Sequence, residues 1–156
     1  MTITATDAEV YRSHADELTR YATVLVGPDH AADVVTDAVL AAFGSPAWRD
    51  VDDRRAYLFR CVHHQAASRH RSDERRRRRE ERGGLRLAAT HAIPEPSIDA
   101  LRALDELSPQ QRSVVYLAYW EDRTAEQIAE LLDVSPGTVR KQLARSRDRL
   151  REVLRP

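Results

Sequence analysis

The chain has 156 residues, and its 25 lysines and arginines balance 25 aspartates and glutamates for a formal net charge of zero, so bulk charge points to no polyanionic partner. One cysteine, Cys61, excludes an internal disulfide and fits a reducing compartment. The first ten residues lack the basic start and apolar stretch of a signal peptide. No apolar run, Ala38 to Phe43 included, approaches the roughly 20 residues of a membrane helix, so a cytoplasmic protein without membrane insertion is expected.

Along the chain, Thr6 followed by Glu9 predicts a capped helix start. Val10, Tyr11, Leu18, Tyr21, Ala22 and Leu25 then recur at threes and fours until Gly27-Pro28 ends the run. A second helix begins near Asp29, carries Ala31, Val34, Val35, Ala38, Ala41, Ala42 and Phe43, and stops at Gly44. Asp33 and Asp37, four residues apart, share its outward face with no neighbouring lysine or arginine. After a loop with Pro46 and Trp48, a third helix runs from about Asp53 through Tyr57, Leu58, Phe59, Cys61 and Val62 into the block Arg75 to Arg79. Tyr57 and Phe59 fit either a core or base contacts on helical spacing alone.

Between Gly83 and Ser97 the helical period is lost, and Gly83-Gly84, Pro94 and Pro96 read as a linker. From Ile98 it resumes with Leu101, Leu104 and Leu107. No useful strand alternation occurs, so the expected fold is all-α: two small helical domains, 1–82 and 98–156, joined by a flexible linker, 83–97.

The last third carries three helix starts in register. Ser108 with Pro109 and Gln111, Thr124 with Gln127, and Ser135 with Pro136 each pair a hydroxyl cap with a capping glutamine, a first-turn proline or both. Leu131-Leu132-Asp133-Val134 leaves a short turn between the second and third of these helices, as in a helix-turn-helix. On the final helix, Val139, Leu143, Ser146, Leu150 and Leu154 form one side and Gly137, Arg140, Lys141, Ala144 and Arg145 the other. Small residues let a backbone approach a groove, and the cations suit phosphates or the acceptor edge of guanine. Local charge fits: Lys141 is the only lysine, and arginines cluster from Arg69 to Arg82 and from Arg140 to Arg155.

Catalysis finds no support. The six histidines are scattered, and no paired-cysteine spacing, glycine-rich phosphate loop or nucleophile elbow occurs, so no metal, cofactor or catalytic residue is expected.

From about Tyr11 to Leu154, the order of parts resembles the bacterial sigma factors of the extracytoplasmic-function type, which have only the second and fourth sigma regions. The resemblance is strongest over Leu104 to Arg112, Thr124 to Glu130 and Ser135 to Arg140, and it continues through Arg145 to Arg151. The stretch Asp29 to Phe43 resembles the family's polymerase-docking helix. There the resemblance assigns Asp33 and Asp37 to core RNA polymerase, with Thr36 standing where the family usually has glutamine.

Arg55 to Arg71 is similar to the element that melts and reads the minus-10 region, which must hold unpaired bases. By that resemblance Arg60, Arg69 and Arg71 follow the strand backbone and His63 and His64 stack on or hydrogen-bond a base. His64 replaces a usual asparagine and Ser68 a usual aspartate. For the minus-35 element, the resemblance places Gly137, Thr138, Arg140, Lys141 and Arg145 at the major groove and Arg123 and Thr124 at phosphate. Asp133 stands where relatives often have glycine, and aspartate tolerates the left-handed backbone such a turn needs.

The implied function is promoter-specific transcription initiation without catalysis. The implied partners are core RNA polymerase, promoter DNA and an anti-sigma protein. Two other readings share the helix-turn-helix: a stand-alone regulator binding a palindrome as a dimer, and a sigma mimic that sequesters an anti-sigma protein. No coiled-coil heptads support the first, and a basic reading face argues against the second.

Overall fold

The computed structural model describes residues 1–83 and 98–155; the sequence range read as a linker therefore lies, but for Gly83, outside the described residues. Helix α1 spans Ala5–Val26, α2 Pro28–Gly44 and α3 Arg54–Gly83, with a short 3-10 turn at Pro46–Asp50 between the last two. Helices α4 (Ile98–Asp105), α5 (Pro109–Tyr119), α6 (Ala125–Leu132) and α7 (Pro136–Val153) follow, so the all-α expectation holds.

Local chemistry sets most boundaries. Helix α1 starts two residues earlier than the Thr6 signal suggests. Thr4 is the cap: its hydroxyl accepts from the Asp7 amide at 3.1 Å, and the Asp7 carboxylate accepts from the Thr4 amide at 2.9 Å. The second carboxylate oxygen of Asp7 accepts from Trp48 Nε1 at 2.8 Å, tying that cap to the 3-10 turn; a cap at Thr6 has no such tertiary anchor. Gly27, at φ +84°, makes the break between α1 and α2, a backbone state that side chains with a Cβ rarely adopt. Asp53 caps α3 by accepting from the Ala56 amide at 2.9 Å.

The caps at Ser108, Thr124 and Ser135 form as the sequence indicates, each hydroxyl accepting from the amide three residues on. A cap of this kind is worth about 1 kcal/mol, enough to matter for the two-turn α6. Asp133 ends α6 at φ 57°, ψ 49°, the left-handed state that keeps the turn tight without glycine.

Packing joins the two ends of the chain. One continuous apolar cluster runs from Leu18, Leu25, Val34, Ala38, Leu58 and Val62 on the first three helices to Val114, Leu117, Ile128, Leu132 and Val139 on the later ones. Tyr21 is its hinge point, stacked on Phe59 at 4.9 Å and tilted against Tyr116 at 5.3 Å. Phe59 is thus core. Tyr57 belongs to the fold as well, packed on Trp48 at 5.9 Å with its hydroxyl donating to Ser45 Oγ at 3.0 Å. Two details differ from the periodic reading: Ala41 is exposed, and Leu154, the residue that caps the end of α7, is 52% exposed. No helix among the described residues is long and apolar enough to cross a membrane.

Candidate functional site

Three helix faces concern the candidate residues. On α2, burying Ala31, Val34, Val35 and Ala38 turns Asp33, Thr36 and Asp37 outward, and all three are exposed. Neither aspartate has an ion pair among the described residues. Leu40, one turn further along the same face, is 43% exposed. Sequence reading missed it because an apolar residue inside an apolar run looks like core. Its spacing from Asp33, Thr36 and Asp37, at i+7, i+4 and i+3, was the available signal.

On α3 the candidates divide. His64 and Arg71 are exposed. Arg60 instead donates from Nε to the Leu131 carbonyl at 2.8 Å and from its terminal nitrogen to the Glu130 carbonyl at 2.9 Å. It closes the C-terminus of α6, where free carbonyls and the helix dipole favour a cation. His63 is buried, with Nδ1 2.7 Å from Ser113 Oγ of α5, and the same serine oxygen accepts from the Tyr21 hydroxyl at 2.9 Å. Burial first, and the neighbouring His64 second, push the His63 ring down to about 4. The ring is therefore neutral near pH 7, and Nδ1 can accept the serine proton while Ser113 accepts from Tyr21.

Arg69 is half-buried against α2, sharing a 2.8 Å contact with His30 Nδ1. Of the five residues read as strand contacts, Arg60, His63 and Arg69 are thus engaged within the molecule, because this stretch of α3 packs on α2, α5 and α6.

Two further arginines fasten the halves. Arg55 donates to both carboxylate oxygens of Glu17, at 2.8 and 2.7 Å, and to Glu121 at 2.9 Å, with its guanidinium 4.6 Å from the Phe59 ring centre. Burial alone would raise the Glu17 carboxyl, but the hydrogen bonds from Arg55 and His14 outweigh it and hold the group below its ordinary value. Arg112 reaches from α5 to the Leu25 carbonyl at the end of α1, at 3.0 Å. No local motif in the sequence announces these contacts, whose partners lie 38 to 87 residues apart.

On α7 the two-sided layout is realised. Val139, Leu143 and Ser146 are buried, while Gly137, Arg140, Lys141, Ala144 and Arg145 are exposed. Arg140 is bridged to Glu126 of α6, whereas Lys141 and Arg145 have no partner among the described residues. A Cβ added at Gly137 would meet only Ser135 Oγ, at an ordinary 3.8 Å, so packing within the chain does not require glycine there. Thr138 is half-buried, its amide and hydroxyl both bonded to Ser135 Oγ. Thr124 serves as the α6 cap. Arg123 lies in a groove between the halves, lined also by Asp53, Tyr57, Arg60 and Gln127, where its Nε is buried without a hydrogen-bond partner.

Comparison with known proteins defines the class. The family model described as Sigma-70, region 4 matches residues 97–150. Two RNA polymerase sigma-E factors, from Streptomyces coelicolor and Streptomyces avermitilis, are 33% and 35% identical to the chain. Each alignment covers 94% of this chain, and 84% and 83% of the respective relative. The sigma factor RpoE from Bartonella quintana, solved in complex with the anti-sigma factor NepR, superposes with a TM-score of 0.72 at 24% identity. That likeness covers 97% of this chain and 98% of RpoE, and at this identity it speaks for the fold. The class is therefore the sigma factors of bacterial RNA polymerase. Within it, the chain belongs to the extracytoplasmic-function family, and nothing favours a stand-alone regulator or a sigma mimic.

Proposed function

We propose that this sigma factor divides its partners by helix face and performs no catalysis itself. The exposed acids of α2, Asp33 and Asp37, flanked by Thr36 and Leu40, dock on a basic, partly apolar surface of core RNA polymerase. The basic face of α7, with Lys141 and Arg145 unpaired and Arg140 beside them, enters the major groove at the minus-35 element. Residues 1–82 carry the polymerase and minus-10 contacts, 98–156 carry the minus-35 contacts, and 83–97 tether the two. The face of α7 is the observation that carries this reading: three cations and two small residues exposed together, on a helix pinned by a buried opposite side.

On α3, His64 and Arg71 are accessible to an unpaired strand, whereas Arg60 and His63 reach one only after α3 separates from α5 and α6. Arg123 would likewise meet phosphate only once that groove opens, whereas Thr124, exposed at the start of α6, is accessible as it stands. Each half binds DNA weakly, and joint attachment to polymerase raises the effective concentration of the second contact. An anti-sigma protein would act by covering the α2 or α7 face.

The test is reconstitution. The purified chain mixed with core RNA polymerase should initiate at start sites that share two upstream elements, as read by transcript sequencing. No association with core enzyme, together with unaided binding to a symmetric operator, would overturn the proposal.

A further inference from the structure

Helix α3 outruns the core that holds it. Among its described side chains the last buried one is Ala66, yet the helix continues to Gly83, roughly 25 Å further at 1.5 Å per residue. Residues 71–82 contain no apolar side chain at all, so this segment is not held by packing. One side of it is laced by ion pairs within the helix. Arg76 bridges Asp73 at 3.4 Å and Glu80 at 3.9 Å, and His70 meets Glu74 at 3.3 Å.

The other side differs. At 3.6 residues per turn, Arg71, Arg75, Arg78 and Arg79 fall within about 100° of arc, and no acidic residue shares that arc. Glu74 lies at its border and is turned to His70. All four arginines are exposed, and none has an ion pair or hydrogen bond among the described residues. Arg71, Arg75 and Arg79 stand four residues apart in succession, a like-charge arrangement that costs a helix a few tenths of a kcal/mol per pair. A fold-stabilising role would place acids between them, as the opposite side does. Exposed His64 lies on the same line of the helix, so the stripe continues the accessible minus-10 face in one rigid element.

We propose that the projecting end of α3 is a duplex-backbone rail. In it Arg75, Arg78 and Arg79, continuing from Arg71, neutralise phosphates of the double-stranded promoter beside the element that His64 faces. Planar guanidinium groups suit phosphate, and a contact of this kind adds affinity while reading no sequence. The inference rests on the promoter-binding reading above and adds to it a second DNA surface of different character.

The experiment uses the full chain assembled with core RNA polymerase. It compares wild type with the triple variant Arg75→Gln, Arg78→Gln, Arg79→Gln, glutamine being a good helix former. Promoter affinity is measured from 50 to 200 mM salt on two promoters that share their recognition elements and differ in the duplex between them. Three lost phosphate contacts should make the slope of log affinity against log salt shallower by about 2.7, so the ratio of wild-type to variant affinity shrinks about 40-fold across that range. The loss should be equal on both promoters, affinity for core enzyme should not change, and the variant with lysine at the same three positions should restore the slope.

An unchanged slope in a holoenzyme that still binds its promoter overturns the rail alone. A loss that depends on the sequence between the elements, or a loss of core binding, overturns it as well by assigning the arginines to base reading or to polymerase. A wild-type holoenzyme that binds no promoter removes the promoter-binding reading itself, and the rail with it.

Discussion

Helices α3 and α7 are both long and arginine-rich, yet their cations stand in opposite situations. On α7 the buried residues Val139, Leu143 and Ser146 occupy one side and leave Lys141 and Arg145 free on the other. On α3, between Arg55 and Arg69, packing covers most sides of the helix and leaves His64 and Ser68 exposed, and Arg55, Arg60, His63 and Arg69 hold the molecule together. Beyond that point the same helix presents unpaired arginines to solvent. An arginine therefore acquires its role from how many sides of its helix are covered, not from its place in a basic run.

The comparison breaks most sharply at α7. Replacing Lys141 and Arg145 together by alanine should lower promoter-dependent transcription about 100-fold, on the order of 1–3 kcal/mol per base or phosphate contact, with core binding and thermal stability unchanged. In vitro transcription and calorimetry read the two effects separately; a fallen Tm would mean that these cations serve the fold after all.

On α3 the expected damage lies in stability. Ser113→Ala removes the oxygen that both the Tyr21 hydroxyl and His63 use. Leaving buried polar groups unpaired costs about 1–3 kcal/mol, a fall in Tm of roughly 2–12 °C. A calorimetric Tm equal to that of wild type would show the network to be idle.

A smaller, graded effect should follow from pH. His63 sits at about 4 in the folded chain against an ordinary 6.5, so the unfolded or parted state binds the extra proton in between. Stability should be full above about pH 6.5, fall as pH drops toward 4, and lose nothing further from this group below that. Glu17, held low by Arg55, loses its contribution in the same direction as acid protonates it. His63→Phe should flatten the histidine part of the profile, measured as denaturation midpoint against pH.

Much of this was legible in the sequence because it is local. The caps at Ser108, Thr124 and Ser135 are satisfied within three residues, and the two-sided layout of α7 follows from its 3.6-residue period. Asp33 and Asp37 face outward for the same reason. What was not legible depends on partners far along the chain. Nothing near Arg60 says that it will close α6, and nothing near His63 names Ser113, 50 residues away. Thr6 and Thr4 offer equivalent local caps, and only Trp48 on Asp7 selects Thr4. Leu40 escaped notice because it sits inside an apolar run, although its period sets it beside Asp33, Thr36 and Asp37 on the outward face.

The division of partners by helix face is tested most directly at α2. Equilibrium binding of the fluorescently labelled chain to core RNA polymerase should weaken by about 100-fold in the variant Asp33→Lys, Asp37→Lys, while its Tm stays within about 2 °C of wild type, since both side chains are exposed and unpaired. Core affinity equal to that of wild type in this variant would contradict the account.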